Sequence, residues 1–146
     1  MPGIIVGIDG SGHSQRALEW AMKEAAIRQA PLTVITVHQA TVGYYGGVAN
    51  DPQDPERTEK ASVSAQAETD KVLAELDGPH PASVTVRAVH GFPVQELVRA
   101  SSGADIIVLG SRGAGGFTRL LLGSVATQVA THAHCPVIIV PPERQS

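Results

Sequence analysis

ADIIVLGSRGAGGFTRLLLGSVATQ, residues 104–128, joins an apolar run to a helix-like segment through a stretch in which five glycines fall within fourteen residues. Glycine is costly to order, so this density marks a place that needs bare backbone. "DIIVLG" has the length and β-branched content of a buried strand, and the segment from about Ser124 to Ala133 has helical spacing. Gly110 lets the chain leave the strand end and pass close to a ligand without a Cβ. Gly113 can take positive φ and aim successive N–H groups inward as an anion nest. Gly123 and Ser124 then open the last helix, whose free N–H groups and positive dipole end face the same space. Ser124 either caps that helix or turns its hydroxyl to a phosphate. The unit reads as strand, phosphate cradle, helix.

Upstream, strands and helices alternate in the same way. "GIIVGI" (3–8) is a short β-branched run ending in the turn Asp9-Gly10-Ser11-Gly12, and residues 13–29 carry a helical stripe of Ala17, Leu18, Ala21, Met22 and Ala25. "PLTVITVHQ" (31–39) is nearly continuous in apolar character, as a parallel strand covered on both faces requires. Residues 40–56 are rich in Gly, Pro, Asn and Asp and longer than a usual connection, which predicts a variable loop, either a lid or an insertion. Helical spacing returns over 56–76, with Ala65, Val72, Leu73 and Leu76 on one side. "SVTVRAVHG" is the third strand, 93–100 a short helix with Pro93 in its first turn, and "PVIIVP" the last strand. A flexible tail is expected over 142–146.

This order predicts one α/β domain over residues 1–146, a mainly parallel five-stranded sheet with right-handed crossovers and helices on both faces, Rossmann-like in class. The pattern alone does not fix the strand order. In open sheets of this kind ligands sit at the carboxyl ends of strands, where the order reverses. Both glycine-rich segments, after the first and the fourth strand, lie at such ends.

Composition narrows the function classes. The chain has 146 residues, 42% of them hydrophobic and 17% charged, with a formal net charge of −3 and no long basic run, so binding to nucleic acid through charge is not expected. No apolar run approaches the roughly 18–20 residues that cross a bilayer, and the N-terminus lacks the basic region of a signal peptide. Cys135 is the single cysteine, which fits a reducing, cytoplasmic setting and reads as a small buried hydrophobe. His132-x-His134-Cys135 lacks the second Cys/His pair that a structural zinc needs. His38 at a strand end reads as a polar rim or a base, and Tyr44-Tyr45 either closes over a ligand or is disordered.

The glycine loop is neither of two familiar phosphate motifs. A Walker A loop needs a lysine before its Ser or Thr, and Gly123-Ser124 has none. The G-x-G-x-x-G fingerprint fails because Gly113-Ala114-Gly115 is followed by Thr118 at the third position. The spacing present, Gly110-x-x-Gly113, nine residues, then Gly123-Ser124, resembles the G-2x-G-9x-G-[ST] signature of the universal stress protein family. The likeness extends to "VATHAHCPVIIV" and to "IIVGIDGSGHSQRAL", nearly the whole chain, and the loop over 40–56 falls where that family varies most.

The resemblance implies strand order 3-2-1-4-5 in a fold like the adenine nucleotide alpha hydrolases, ATP binding, and a homodimer through the C-terminal strand. By position it implies that Asp9 lies near the ribose and the phosphate-bound Mg²⁺, an indirect metal role, with Gly7 and Ile8 lining the adenosine. Val37 corresponds to the residue whose backbone meets the adenine edge. Gly110, Arg112, Gly113, Gly123, Ser124 and Val125 correspond to ribose and phosphate contacts. Arg119 is a departure, since Gly is frequent there. With aromatics at 3%, adenine is expected against aliphatic groups such as Ile8 and Val37. The function implied is a nucleotide-dependent stress regulator or sensor with an unknown protein partner and slow or no hydrolysis, since the loop offers no lysine and no carboxylate to position water. Two alternatives stay open: an ATP-hydrolysing or ATP-pyrophosphatase-like enzyme, faintly resembled by Asp9-Gly10-Ser11-Gly12-His13-Ser14, and a ligand-free dimeric interaction module.

Overall fold

A computed structural model describes residues 2–39, 55–111 and 122–142. Strands β1 (Gly3–Ile8), β2 (Pro31–Gln39), β3 (Ser83–Gly91), β4 (Ala104–Gly110) and β5 (Val137–Val140) form one sheet in the order β3-β2-β1-β4-β5. Every neighbouring pair is parallel. Helices α1 (Gly12–Arg28), α2 (Pro55–Glu75), α3 (Pro93–Ser101) and α4 (Ser124–His132) connect them. This is the expected class and the expected order.

Side-chain alternation along the strands divides the core into two layers. Ile4, Val6, Ile8, Leu32, Val34, Ile106 and Val108 face α1 and α2, meeting Ala17, Leu18, Ala21, Met22 and Ala25 of α1 and Ala65 and Val72 of α2. Ile5, Ile35, Ile107 and Leu109 face the other way, against Leu97 of α3 and Val129 of α4. Burying one such side chain is worth about 1.5–3 kcal/mol, so the central strands, apolar on both faces, anchor the sheet. The edge strand β3 instead alternates exposed and half-buried positions.

The helix ends follow local chemistry. The Ser11 hydroxyl caps α1 by accepting from the Ser14 N–H at 3.3 Å. At the other end Gln29 takes a left-handed conformation at φ 50°, held by its side-chain Nε2 donating to the Ala26 carbonyl at 2.8 Å. Pro93 occupies the first turn of α3, where its missing N–H costs nothing. Ser101, fully buried at the end of α3, donates to the Val98 carbonyl at 2.6 Å and accepts from the His134 N–H at 2.9 Å, pinning the α4–β5 connection. On α2 the buried face also holds Thr69, which donates to the Ala65 carbonyl at 2.7 Å, while Leu73 is only half-buried.

Candidate functional site

The sheet order reverses at β1, which has β2 on one side and β4 on the other. The Val6–Val108 pairing brings Gly110 level with Ile8, so both strands end beside each other. That is the place where open parallel sheets bind ligands.

At the end of β1 the chain turns through Asp9, Gly10 and Ser11 into α1. Gly10 has φ 83°, a conformation that side-chain-bearing residues rarely adopt. The exposed Asp9 carboxylate accepts from the Ser11 N–H at 2.9 Å through Oδ1, and the Asp9 N–H donates to the Ser14 hydroxyl at 3.3 Å. Asp9 therefore shapes the turn as well as presenting a negative charge at the strand end. A second carboxylate feels that charge. Burial, and then Asp9, push the carboxyl of half-buried Glu68 on α2 above its ordinary range, with Lys71 opposing. Nothing in the helical spacing of α2 announces this neighbour.

At the end of β4 the strand pairing persists one residue past Gly110, because the Ser111 N–H donates to the Val140 carbonyl at 2.9 Å. The Ser111 carbonyl in turn accepts from the Gly123 N–H, so the two ends of the glycine segment are fastened together. Ser111 is 4% exposed, and among the described residues its hydroxyl oxygen has no hydrogen-bond partner. Sequence spacing did not single it out.

Gly123, at φ −68° and ψ 165°, is the N-cap residue of α4 and Ser124 its first helical residue, so of the two expected roles of Ser124 the capping one falls to Gly123. A glycine cap supplies no side-chain acceptor. Thr127 bonds backward instead, its N–H and hydroxyl both donating to the Gly123 carbonyl at 3.0 and 2.9 Å. Among the described residues no side chain caps the first turn of α4, and the Ser124 side chain is exposed there. Val125 is half-buried against the α3/α4 layer.

The remaining expected residues are placed as follows. Gly7 is buried, and a Cβ there would lie 2.9 Å from Leu109 Cδ2 and 3.1 Å from Leu97 Cδ2, so its bareness makes room for core side chains. Ile8 belongs to the α1/α2 layer and Val37 to the α3/α4 layer. Their side chains do not share one wall. His38 sits on the α1/α2 face, edge-on to His90 with ring centroids 4.9 Å apart, its Nε2 3.0 Å from Thr58 Oγ1 of α2. Arg112, Gly113, Arg119, Tyr44, Tyr45, most of the 40–56 loop and the tail beyond residue 142 lie outside the described residues.

Among the described residues no three His, Cys, Asp or Glu side chains come together as a metal cluster. His132 and His134 are exposed, and the half-buried Cys135 packs on the α3/α4 layer, its thiol pushed up first by burial. No helix among these residues is long and apolar enough to cross a membrane.

Comparison with known proteins agrees with this architecture. Residues 2–141 match the family model described as Universal stress protein family. Universal stress protein Rv1996 of Mycobacterium tuberculosis is 35% identical over 153 aligned residues, which cover 97% of this chain and 48% of that protein. The chain spans about half the length of the curated relatives it matches. A solved universal stress protein in complex with cAMP superposes with a TM-score of 0.67 at 26% identity, covering 96% of each chain. The universal stress protein from Archaeoglobus fulgidus in complex with dAMP superposes with a TM-score of 0.58 at 27% identity, covering 95% of this chain and 97% of that one. Sheet order, glycine spacing and the match along the sequence together mean that this chain belongs to the universal stress protein family.

Proposed function

We propose that this chain binds an adenine nucleotide, ATP with Mg²⁺, at the carboxyl ends of β1 and β4, and that binding regulates the protein rather than feeding a reaction. The observation that carries this reading is the bond from the Gly123 N–H to the Ser111 carbonyl. It draws the mouth of α4, which no side chain caps among the described residues, against the end of β4. An anion held there meets free N–H groups and the positive end of the helix dipole. Family relatives solved with cAMP and dAMP support an adenine nucleotide as that anion.

In this reading Gly110, Arg112, Gly113, Gly123, Ser124 and Val125 contact ribose and phosphates, while Gly7, Ile8 and Val37 border the adenosine. Asp9 suits an indirect metal role, since Mg²⁺ uses one or two carboxylates together with waters and phosphate oxygens. When bound, the ion would screen the phosphate charge. The segment 110–124 carries no lysine and no carboxylate, which fits slow or absent hydrolysis, below about 1 s⁻¹. The nucleotide then acts as a signal in the cytoplasm, read by a partner protein and by a homodimer built on β5.

The test is thermal unfolding with and without ATP and Mg²⁺. At about a hundredfold excess over Kd, linkage adds roughly 2.7 kcal/mol, which raises the melting temperature of a chain this size by roughly 5–10 °C. An unmoved midpoint at millimolar ATP overturns the reading.

A further inference from the structure

The sheet ends in two unlike edges. Among the described residues β3 pairs only with β2, and β5 only with β4. β5 is four residues of Val and Ile, whereas β3 runs for nine and carries Arg87 at its midpoint. Val84 and Val86 of β3 are half-buried against the α1/α2 layer. Arg87 points the other way, in one row with Ser83, Thr85 and Val89. The α3/α4 layer reaches Val89 but leaves Ser83, Thr85 and Arg87 exposed. No ion pair among the described residues engages the Arg87 guanidinium.

A long edge strand, with a row of N–H and C=O groups turned outward, is a template for another chain. A second copy of this chain offers the same strand. Two copies related by a two-fold axis pair these edges antiparallel, and full overlap sets Ser83 against Gly91, Thr85 against Val89, and Arg87 against its own counterpart. Directly opposed side chains have their Cβ atoms about 4.5–5.5 Å apart, and like charges there destabilise the pair. We propose that Arg87 keeps the β3 edges of two copies from joining, so that edge-to-edge assembly is confined to β5. The midpoint is where one residue acts twice, because only there does the longest overlap bring it against itself. Shorter overlaps part the two arginines but give up ladder bonds. Were both edges to pair, each copy would join two others and the sheet would extend without closing, as a filament does.

Arg87→Thr tests this, since threonine carries no charge and suits an exposed strand. The variant is expected to keep the far-ultraviolet circular dichroism of the parent. In sedimentation velocity over the same concentration series it is expected to form species at least twofold heavier than the parent's heaviest. Those are dimers if the parent is a monomer, and tetramers or longer chains if the parent dimerises through β5. Arg87→Glu again sets like charges opposite each other and is expected to stay at the parent's mass. An Arg87→Thr protein that sediments as the parent does overturns the proposal. So does an Arg87→Glu protein that grows as Arg87→Thr does, because charge would not then be the cause. Loss of the fold in Arg87→Thr overturns it too, since Arg87 would then be structural. All three proteins are measured without nucleotide, so no outcome bears on the nucleotide site.

Discussion

Gly7 shows how one missing side chain can answer two demands. Position alone makes it a candidate for close approach of a ligand, because it lies one residue before the end of β1. The packing supplies another reason: Leu109 and Leu97 already fill the space that a Cβ would take. Overpacking a close-packed core typically costs about 1–3 kcal/mol. Gly7→Ala is therefore expected to lower stability in urea by about that amount in the absence of any nucleotide. A variant as stable as the parent would mean that the leucines move aside freely, leaving ligand approach as the reason for the glycine. Ser111 is the reverse case. A small polar residue after a strand carries no sequence signal of burial, and only its bonds to Val140 and Gly123 expose the orphaned hydroxyl.

Where elements meet, α2 and the β1–α1 turn form a contact that local spacing cannot announce. Glu68 lies among exposed and half-buried neighbours on α2, yet the fold holds it in the field of Asp9. Burial and that negative charge make the folded state bind a proton more tightly than the unfolded chain, whose reference value is 4.5. Between the two values the folded state carries more protons, so this group's contribution to stability falls as pH rises through the window. Above it, the folded protein bears the whole cost of the ionised carboxylate. Glu68→Gln is accordingly expected to melt higher than the parent at pH 7.5, with the advantage shrinking as pH drops toward the ordinary carboxylate range. A parent that melts higher than the variant at pH 7.5 would reverse the assigned sign. The elements themselves were legible in advance because each depends on near neighbours in sequence. Runs such as "IIVGI" and "DIIVLG" and the alanine-rich stripe of α1 fixed type and extent to within a residue or two. Spacing left the role of Ser124 open between cap and phosphate contact, because Ser is a common cap; Gly123 takes the extended cap conformation and Ser124 enters the helix. The faces that Ile8 and Val37 take were not legible from their separate runs, since only the pairing of adjacent strands puts those side chains in opposite layers.

At the scale of the whole molecule, the sheet has one short apolar edge. Among the described residues β5 pairs only with β4, and the bonds from the Ile107 N–H to the Pro136 carbonyl and from the Ser111 N–H to the Val140 carbonyl fix which of its groups face inward. Even-numbered residues of β5 bond to β4, so the N–H and C=O of Val137 and Ile139 point to the open side. An open edge of this kind is a template for strand pairing, and here it carries half-buried Val137, Ile138 and Ile139. The proposed homodimer would use these groups, each chain completing the other's edge. Ile139→Pro tests that directly. Proline removes an outward N–H that β4 does not use and is tolerated on an edge strand facing solvent. The substituted chain is expected to keep its far-ultraviolet circular dichroism, with some stability lost through the smaller apolar side chain, and to sediment as a monomer at concentrations where the parent sediments as a dimer. A variant that stays dimeric would show that the subunits meet elsewhere, and a monomeric parent would remove the dimer itself while leaving the nucleotide site untouched.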